Sequence, residues 1–179
     1  MTYFEEQNLC IRTMEESDIE LLSQAFSSQG WGAFKPQSLF VRYYSEQNNA
    51  KHIVVVAVKD GKLAGYVILA PAAEAGPFFG KGLPEIRDFS VLKAYQRQGV
   101  GNKMMCVVEA VAKESSNYVS LAVGLYADYG TAQRIYVQRG YIPDGSGIWH
   151  SGKQVPPGQA VMNDDDLVLY LVKDLCQTS

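Results

Sequence analysis

A run of β-branched residues closed by a two-residue turn constrains this chain more than any other feature. His52 to Lys59 is rich in valine, Asp60-Gly61 is a pair that tight hairpin turns favour, and Leu63 to Leu69 resumes as an apolar partner. An antiparallel hairpin therefore sits in the first half, and the remaining elements have to be arranged around a sheet. Leu9 to Arg12 reads as a strand before it, followed by a helix carrying Ile19, Leu21, Leu22, Ala25 and Phe26, with Thr13 to Glu16 or Ser17 to Glu20 as its capping box. Pro36 to Gln47 reads as a second helix, with Leu39, Phe40, Tyr43 and Tyr44 on its apolar side.

Beyond the hairpin, Pro71 to Leu83 is rich in Ala, Gly and Pro and carries Phe78 and Phe79, as expected of a loop that lines a site. Glu85 to Val91 is the fourth predicted strand, and Val100, Met104, Val107, Val108 and Val111 recur at helical spacing after it. Tyr118 to Val123 is the fifth strand and Thr131 to Gln138 a helix stopped by Gly140. Tyr141 opens a further strand, Gly145 to Gly158 reads as a wide loop, and Leu167 to Val172 is a closing apolar strand, which can serve as a pairing edge in a homodimer or equally be buried within one subunit. The order predicts an α/β (α+β) fold with a sheet of mixed direction.

A length of 179 residues predicts one domain, spanning 1–179. With 47% hydrophobic and 20% charged residues the composition excludes global disorder. A net charge of -3 carries no overall electrostatic footprint for nucleic acid, so no nucleic-acid partner is expected. Apolar runs such as Ile53 to Val58 are too short to span a bilayer, and Met1 to Glu6 lacks a basic segment followed by an apolar one, so the expectation is a cytoplasmic protein with no membrane partner. Cys10, Cys106 and Cys176 form no C-x-x-C pair and read as reduced packing residues. His52 and His150 lack the spacing of a ligand pair, so no metal is expected.

The chemically informative stretch runs from Phe89 through Ser90, Val91, Gln96, Arg97, Gln98, Gly99, Val100 and Gly101 to Asn102 and Lys103. A strand ends, a polar turn follows, and a helix begins at paired glycines. Such glycines let backbone approach a ligand, and the unpaired amides of a helix start attract phosphate. Arg97 and Lys103 add positive charge. The ordinary alternative is a plain tight turn. Neither a G-x-G-x-x-G nor a Walker pattern is present.

Gln96-x-x-Gly99-x-Gly101 does resemble the acyl-coenzyme A signature, Q/R-x-x-G-x-G/A, of the GNAT superfamily of N-acetyltransferases. Ala132-x-x-Ile135-Tyr136-x-x-x-Gly140-Tyr141 resembles that family's second pattern. The resemblance implies a GNAT-type fold, with a central mixed, mostly antiparallel sheet of six to seven strands flanked by about four helices and splayed between the fourth and fifth strands. It implies acetyl-CoA as cosubstrate and a small-molecule or peptide amine as acceptor. By the same resemblance, backbone amides of Arg97, Gln98, Gly99, Val100, Gly101 and Asn102 hold the pyrophosphate, Gln96 belongs to the signature, and Phe89, Ser90 and Val91 pair with the pantetheine arm. Glu85 matches a glutamate base of one family branch, with Asp88 as the competing candidate on the other face of the strand if alternation holds. Tyr136 matches the tyrosine that protonates the departing thiolate. Its ordinary alternative is helix packing.

The asparagine that many relatives hold before the second pattern is Tyr129 here. Tyr126, Asp128 and Tyr129 are substrate candidates, and equally Asp128 is placed to cap the helix that follows. Trp31, Phe78, Phe79 and Trp149 are candidate walls of an acceptor pocket, and Asp164 to Asp166 reads as a solvated turn. With no cysteine in either pattern, direct attack of the amine in a ternary complex is expected. The alternative is a non-catalytic acyl-CoA-binding or regulatory module of the same fold.

Overall fold

Asp60 and Gly61 both have positive φ, 52° and 72°, the backbone that a two-residue turn needs to match the twist of its strands. They join β3 (Ile53–Lys59) to β4 (Lys62–Ala70) in register from Ile53↔Leu69 to Lys59↔Lys62. The computed structural model describes residues 1–176. Its strands and helices fall into two compact units, Met1–Ala70 with Arg87–Val111 and Pro71–Ile86 with the chain from Ala112 onward.

In the first unit β1 (Thr2–Glu6) and β2 (Leu9–Thr13) extend the hairpin, in the order β1-β2-β3-β4-β5, where β5 is Glu85–Val91. β1 was not anticipated. Its sequence, Thr-Tyr-Phe-Glu-Glu, is polar because it forms an edge, where charge discourages pairing with other chains. Helices α1 (Asp18–Ser28) and α2 (Gln37–Asn48) supply an aromatic core with β4. Phe26, Phe40 and Tyr66 are fully buried, and Tyr66 meets both phenylalanines edge-on with ring centroids 5.5 and 5.3 Å apart. α3 (Val100–Lys113) presents Val100, Met104, Val108 and Ala112 as a buried stripe.

The start of α1 departs from either capping box. Ser17 makes no side-chain cap; Asp18 takes the Glu15 N–H at 2.8 Å and a two-pronged contact from Arg12 at 2.6 and 2.9 Å. Asp18 is 1% exposed, and the paired guanidinium is what makes a carboxylate tolerable there. Leu21, expected on the apolar side, points outward.

In the second unit the order is β5-β6-β9-β7-β8, with β6 Tyr118–Gly124, β7 Ile142–His150, β8 Lys153–Gln154 and β9 Leu167–Asp174; α4 spans Gly130–Gln138. The β5–β6 ladder is parallel, pairing Glu85 with Ser120 and Ile86 with Leu121 at the start of β5. The remaining pairs here are antiparallel. The described residues thus form nine strands and four α-helices, more strands than the six to seven expected but the same fold.

One expectation fails in this unit, and one open alternative is decided. Gly145 to Gly158 is not a wide loop, because most of its first half continues β7, with an irregularity between Pro143 and Ile148 where Gly145 and Gly147 have φ of 86° and 82°. The glycines mark a bulge rather than a loop. β9 is not a pairing edge. It hydrogen-bonds to β6 on one side and β7 on the other, which explains its continuous apolar character.

Phe26→Ala empties the centre of the first core and is expected to lower the unfolding free energy by about 3–5 kcal/mol. Leu21→Ala, one turn earlier on the same helix, is expected to change it by no more than about 0.5 kcal/mol. Urea titration of both variants checks the contrast.

Candidate active site

After Val91 the chain is pinned before it turns: the Leu92 N–H donates to Ala64 O at 2.8 Å, and Lys93–Tyr95 form one 3-10 turn. Gln96 and Gln98 then spend their amides on the loop itself, donating to Val91 O at 2.9 Å and Ala94 O at 2.7 Å. Arg97 and Gly99 take positive φ, 60° and 80°. A left-handed arginine costs free energy that a plain connection would avoid. Lys103 donates the first bond of α3, to Gly99 O at 3.0 Å, so the amides of Val100 and Gly101 lie ahead of it in the first turn. A Cβ on Gly101 would approach Phe89 Cζ to 3.2 Å. The turn is exposed from Gln96 to Gly99 while Val100 beneath it is fully buried. These are the properties of an anion cradle made from main chain, and they fit the pyrophosphate of a coenzyme.

β5 feeds this turn. Phe89, Ser90 and Val91 are half-buried. β4 crosses so close that a Cβ on Gly65 would lie 2.5 Å from Ser90 O and 3.0 Å from Val91 Cα. Glu85 is buried at 6% exposure, in the second unit, not the exposed edge carboxylate that was its ordinary alternative. Asp88 is in the first unit, and its φ of 44° breaks the alternation that put it on the other face of the strand from Glu85. Its Oδ1 accepts from Lys35 Nζ, and its Oδ2 accepts from Tyr43 OH at 2.7 Å and Tyr66 OH at 2.6 Å. Lys35 Nζ also donates to Tyr66 OH at 2.6 Å. Burial first, then the Asp88 charge, pushes both phenols above the ordinary tyrosine value, so they stay protonated donors. Sequence reasoning missed this cluster because its members are up to 53 residues apart.

In the second unit, Tyr126 OH and Tyr129 OH both donate to Asp165 Oδ1, the latter at 2.9 Å. The Asp165 hydrogen bond raises the Tyr126 phenol, whereas for Tyr129 burial is the larger cause. The Tyr129 ring occupies the space a Cβ on Gly124 would need, 2.4 Å away. Asp128 does not cap α4; it lies exposed in a 3-10 turn, and the N-cap position belongs to Tyr129 without a side-chain bond. The acidic run is a solvated turn, as expected, in which Asp164 meets His150 Nε2 at 3.1 Å and Asp166 accepts from Ser151 Oγ at 2.9 Å.

Tyr136 is 6% exposed on α4, edge-on to Tyr141 with centroids 5.8 Å apart, and burial holds its phenol well above the usual range. Trp31 stacks on Phe26, and Phe78 and Trp149 both meet Tyr170 edge-on, while Phe79 is exposed. Cys106 and Cys176 are exposed and Cys10 half-buried, so the thiols are not the packing residues expected. Each histidine meets one carboxylate, Glu46 or Asp164. Among the described residues no group of three His, Cys, Asp or Glu could hold a metal, and no helix is long and apolar enough to cross a membrane.

The sequence matches the family described as Acetyltransferase (GNAT) family over residues 19–141. No curated protein matches. Among solved structures, an acetyltransferase of the GNAT family from Desulfovibrio desulfuricans is similar at 16% identity and TM-score 0.69, covering 94% of this chain and 99% of that one. An acetyltransferase from Salmonella typhimurium, solved with its cofactor acetyl-CoA, is similar at 15% identity and TM-score 0.65 over 97% of each chain. A chimeric spermidine N-acetyltransferase from Vibrio cholerae and hSSAT gives 12% identity and TM-score 0.67, covering 94% and 96%.

The raised phenol of Tyr136 has a measurable sign. An acid whose folded pKa lies above its unfolded value stabilises the fold fully below that unfolded value, about 10, and the contribution is lost as pH climbs through the folded value. Unfolding free energy is therefore expected to decline above about pH 10, by up to about 1.4 kcal/mol per pH unit from this residue. Tyr136→Phe is expected to flatten that slope, as read by urea unfolding across pH.

Proposed function

The chain belongs to the acetyltransferase (GNAT) family, and we propose that it is an acetyl-CoA-dependent N-acetyltransferase acting on a primary amine by direct attack in a ternary complex. The observation that carries this reading is the turn from Gln96 to Asn102, where left-handed Arg97 and Gly99 deliver the chain to the start of α3 with its own glutamine side chains folded back on the loop.

Acetyl-CoA would be held through backbone of Arg97, Gln98, Gly99, Val100, Gly101 and Asn102 and along Phe89, Ser90 and Val91; it supplies a thioester whose C–S bond breaks as the new N–C bond forms. The Val91 N–H is assigned to polarise the carbonyl oxygen, an oxyanion-hole role in which one donor is worth several kcal/mol of barrier, or about 100- to 1000-fold in rate. An alkylamine with a pKa near 10 is less than about 1% unprotonated at neutral pH, so a base is needed. Glu85 is assigned to take that proton. Its position at the start of β5, buried at 6% exposure, supports the role. Tyr136 is assigned to give a proton to the departing sulfur. Its phenol stays protonated at neutral pH, and its hydroxyl has no hydrogen-bond partner among the described residues. Tyr126 and Tyr129 keep Asp165 occupied, so substrate contacts there would be through their rings.

Calorimetric titration of acetyl-CoA is the direct test. The wild-type protein is expected to bind, and Gly99→Glu and Gly101→Glu to lose binding by at least about 100-fold while staying folded, since each puts a carboxylate where phosphate would rest. With an alkylamine acceptor, Tyr136→Phe is expected to lower kcat by about 100-fold and Glu85→Gln to remove the acidic, rising limb of the pH profile. Undiminished binding by both glycine variants overturns the loop assignment. Binding with no thiol release from any amine indicates the non-catalytic module instead.

A further inference from the structure

The Asp88 cluster is built for a cation, and the cation now in it comes from a loop. Lys35 lies between α1 and α2 beside exposed Phe34, whereas the two groups its ammonium meets, Asp88 on β5 and Tyr66 on β4, and Tyr43 on α2, which holds Asp88, stand on packed elements. The two phenols are neutral donors that fix the carboxylate through Oδ2 and leave Oδ1 for the ammonium. The Tyr66 hydroxyl oxygen adds a second acceptor, 2.6 Å from Lys35 Nζ. A structural ion pair does not require its acidic member to sit at positive φ inside a strand, a strain usually found where a side chain is being aimed. Nor is the pair sealed, as the Asp88 side chain keeps 24% exposure and that of Lys35 14%. Asp88 is three residues from Val91, about 10 Å along the same strand, and in the same compact unit as the phosphate turn.

We propose that Asp88, Tyr43 and Tyr66 form the recognition site for the ammonium group of the acceptor, and that Lys35 occupies it as an internal stand-in which the acceptor displaces. This deepens the transferase reading and rests on it: the acceptor is a cationic primary alkylamine, of the chemistry of a lysine side chain or an aliphatic polyamine, and not an arylamine, which is uncharged at neutral pH. With Lys35 withdrawn, the site carries one negative charge on Asp88 Oδ1 and the acceptor oxygen of Tyr66, which suits an N–H-bearing cation. Displacement makes the apparent affinity lower than the intrinsic one by the fraction of time that Lys35 leaves the site. Lys35 is thus a specificity-determining residue, admitting only amines that compete with a lysine.

Chemical rescue tests this. Lys35→Ala removes both the ammonium and its stem and is expected to lower Tm, with n-butylammonium chloride restoring it in a saturable way. Tetramethylammonium chloride at equal concentration, which has no N–H, is expected not to restore it, and the Lys35→Ala/Asp88→Asn protein is expected to show no recovery with either. In the wild type, the 15Nζ resonance of Lys35 is expected to be protected from exchange and to lose that protection as n-butylammonium is added. KM for n-butylamine is expected to fall at least about tenfold in Lys35→Ala. The proposal is overturned by recovery that survives Asp88→Asn, by equal rescue with tetramethylammonium, by no rescue, or, should Lys35→Ala not fold, by Lys35 protection that persists at saturating amine. Acetyl-CoA titrations of the same proteins keep the two readings apart: lost coenzyme binding in the wild type defeats the transferase, while the rescue and exchange results judge the ammonium site alone.

Discussion

The closeness of β4 to β5 at one point governs the first unit. Gly65 lets the two backbones meet where any side chain would strike Ser90 O. That contact sets the height at which β5 passes the hairpin, and with the Leu92 to Ala64 hydrogen bond it sets where the strand stops and the phosphate turn begins. The position of Tyr66, one residue along β4, follows from the same register, and with it the phenol that meets Asp88. Backbone approach, core aromatic and acidic side chain are consequences of one missing Cβ.

Much of this was legible in the residues themselves. Asp60-Gly61 names its turn because few pairs take two positive φ values cheaply, and the Gln96 to Gly101 spacing names its loop because the glycines have conformational work to do. Local patterns of that kind survive without knowledge of the fold. Gly145 and Gly147 misled for the opposite reason: the φ that opens a loop also makes a bulge, and only the β9 ladder decides between them. β9 itself read either way, since apolar continuity marks a strand with two neighbours as well as one awaiting a partner.

The site residues divide along the same line. The turn's backbone role follows from local sequence, whereas the Asp88 cluster draws on Lys35, Tyr43 and Tyr66, whose meeting depends on the approach of β4 to β5 and on α2 packing over the sheet. Alternation put Asp88 on the other face of its strand from Glu85, and a single left-handed φ at Asp88 interrupts the pattern on which that reading stood. Asp18 shows the same limit on a smaller scale: local spacing offered a capping box from Thr13 or from Ser17, and Ser17 holds the cap position without a side-chain bond while Asp18 pairs with Arg12 from β2.

The placement of β9 between β6 and β7 affects how the chain assembles. Both neighbours leave the ribosome before the strand that joins them, so through that interval they present two open edges and an uncovered apolar face. The first unit carries no such debt, for the β1 to β4 ladder closes between consecutive strands. Synthesis therefore passes through a stage in which half of the sheet is finished and the other half waits on a single late segment, and a chaperone that recognises exposed strand edges would act in that window.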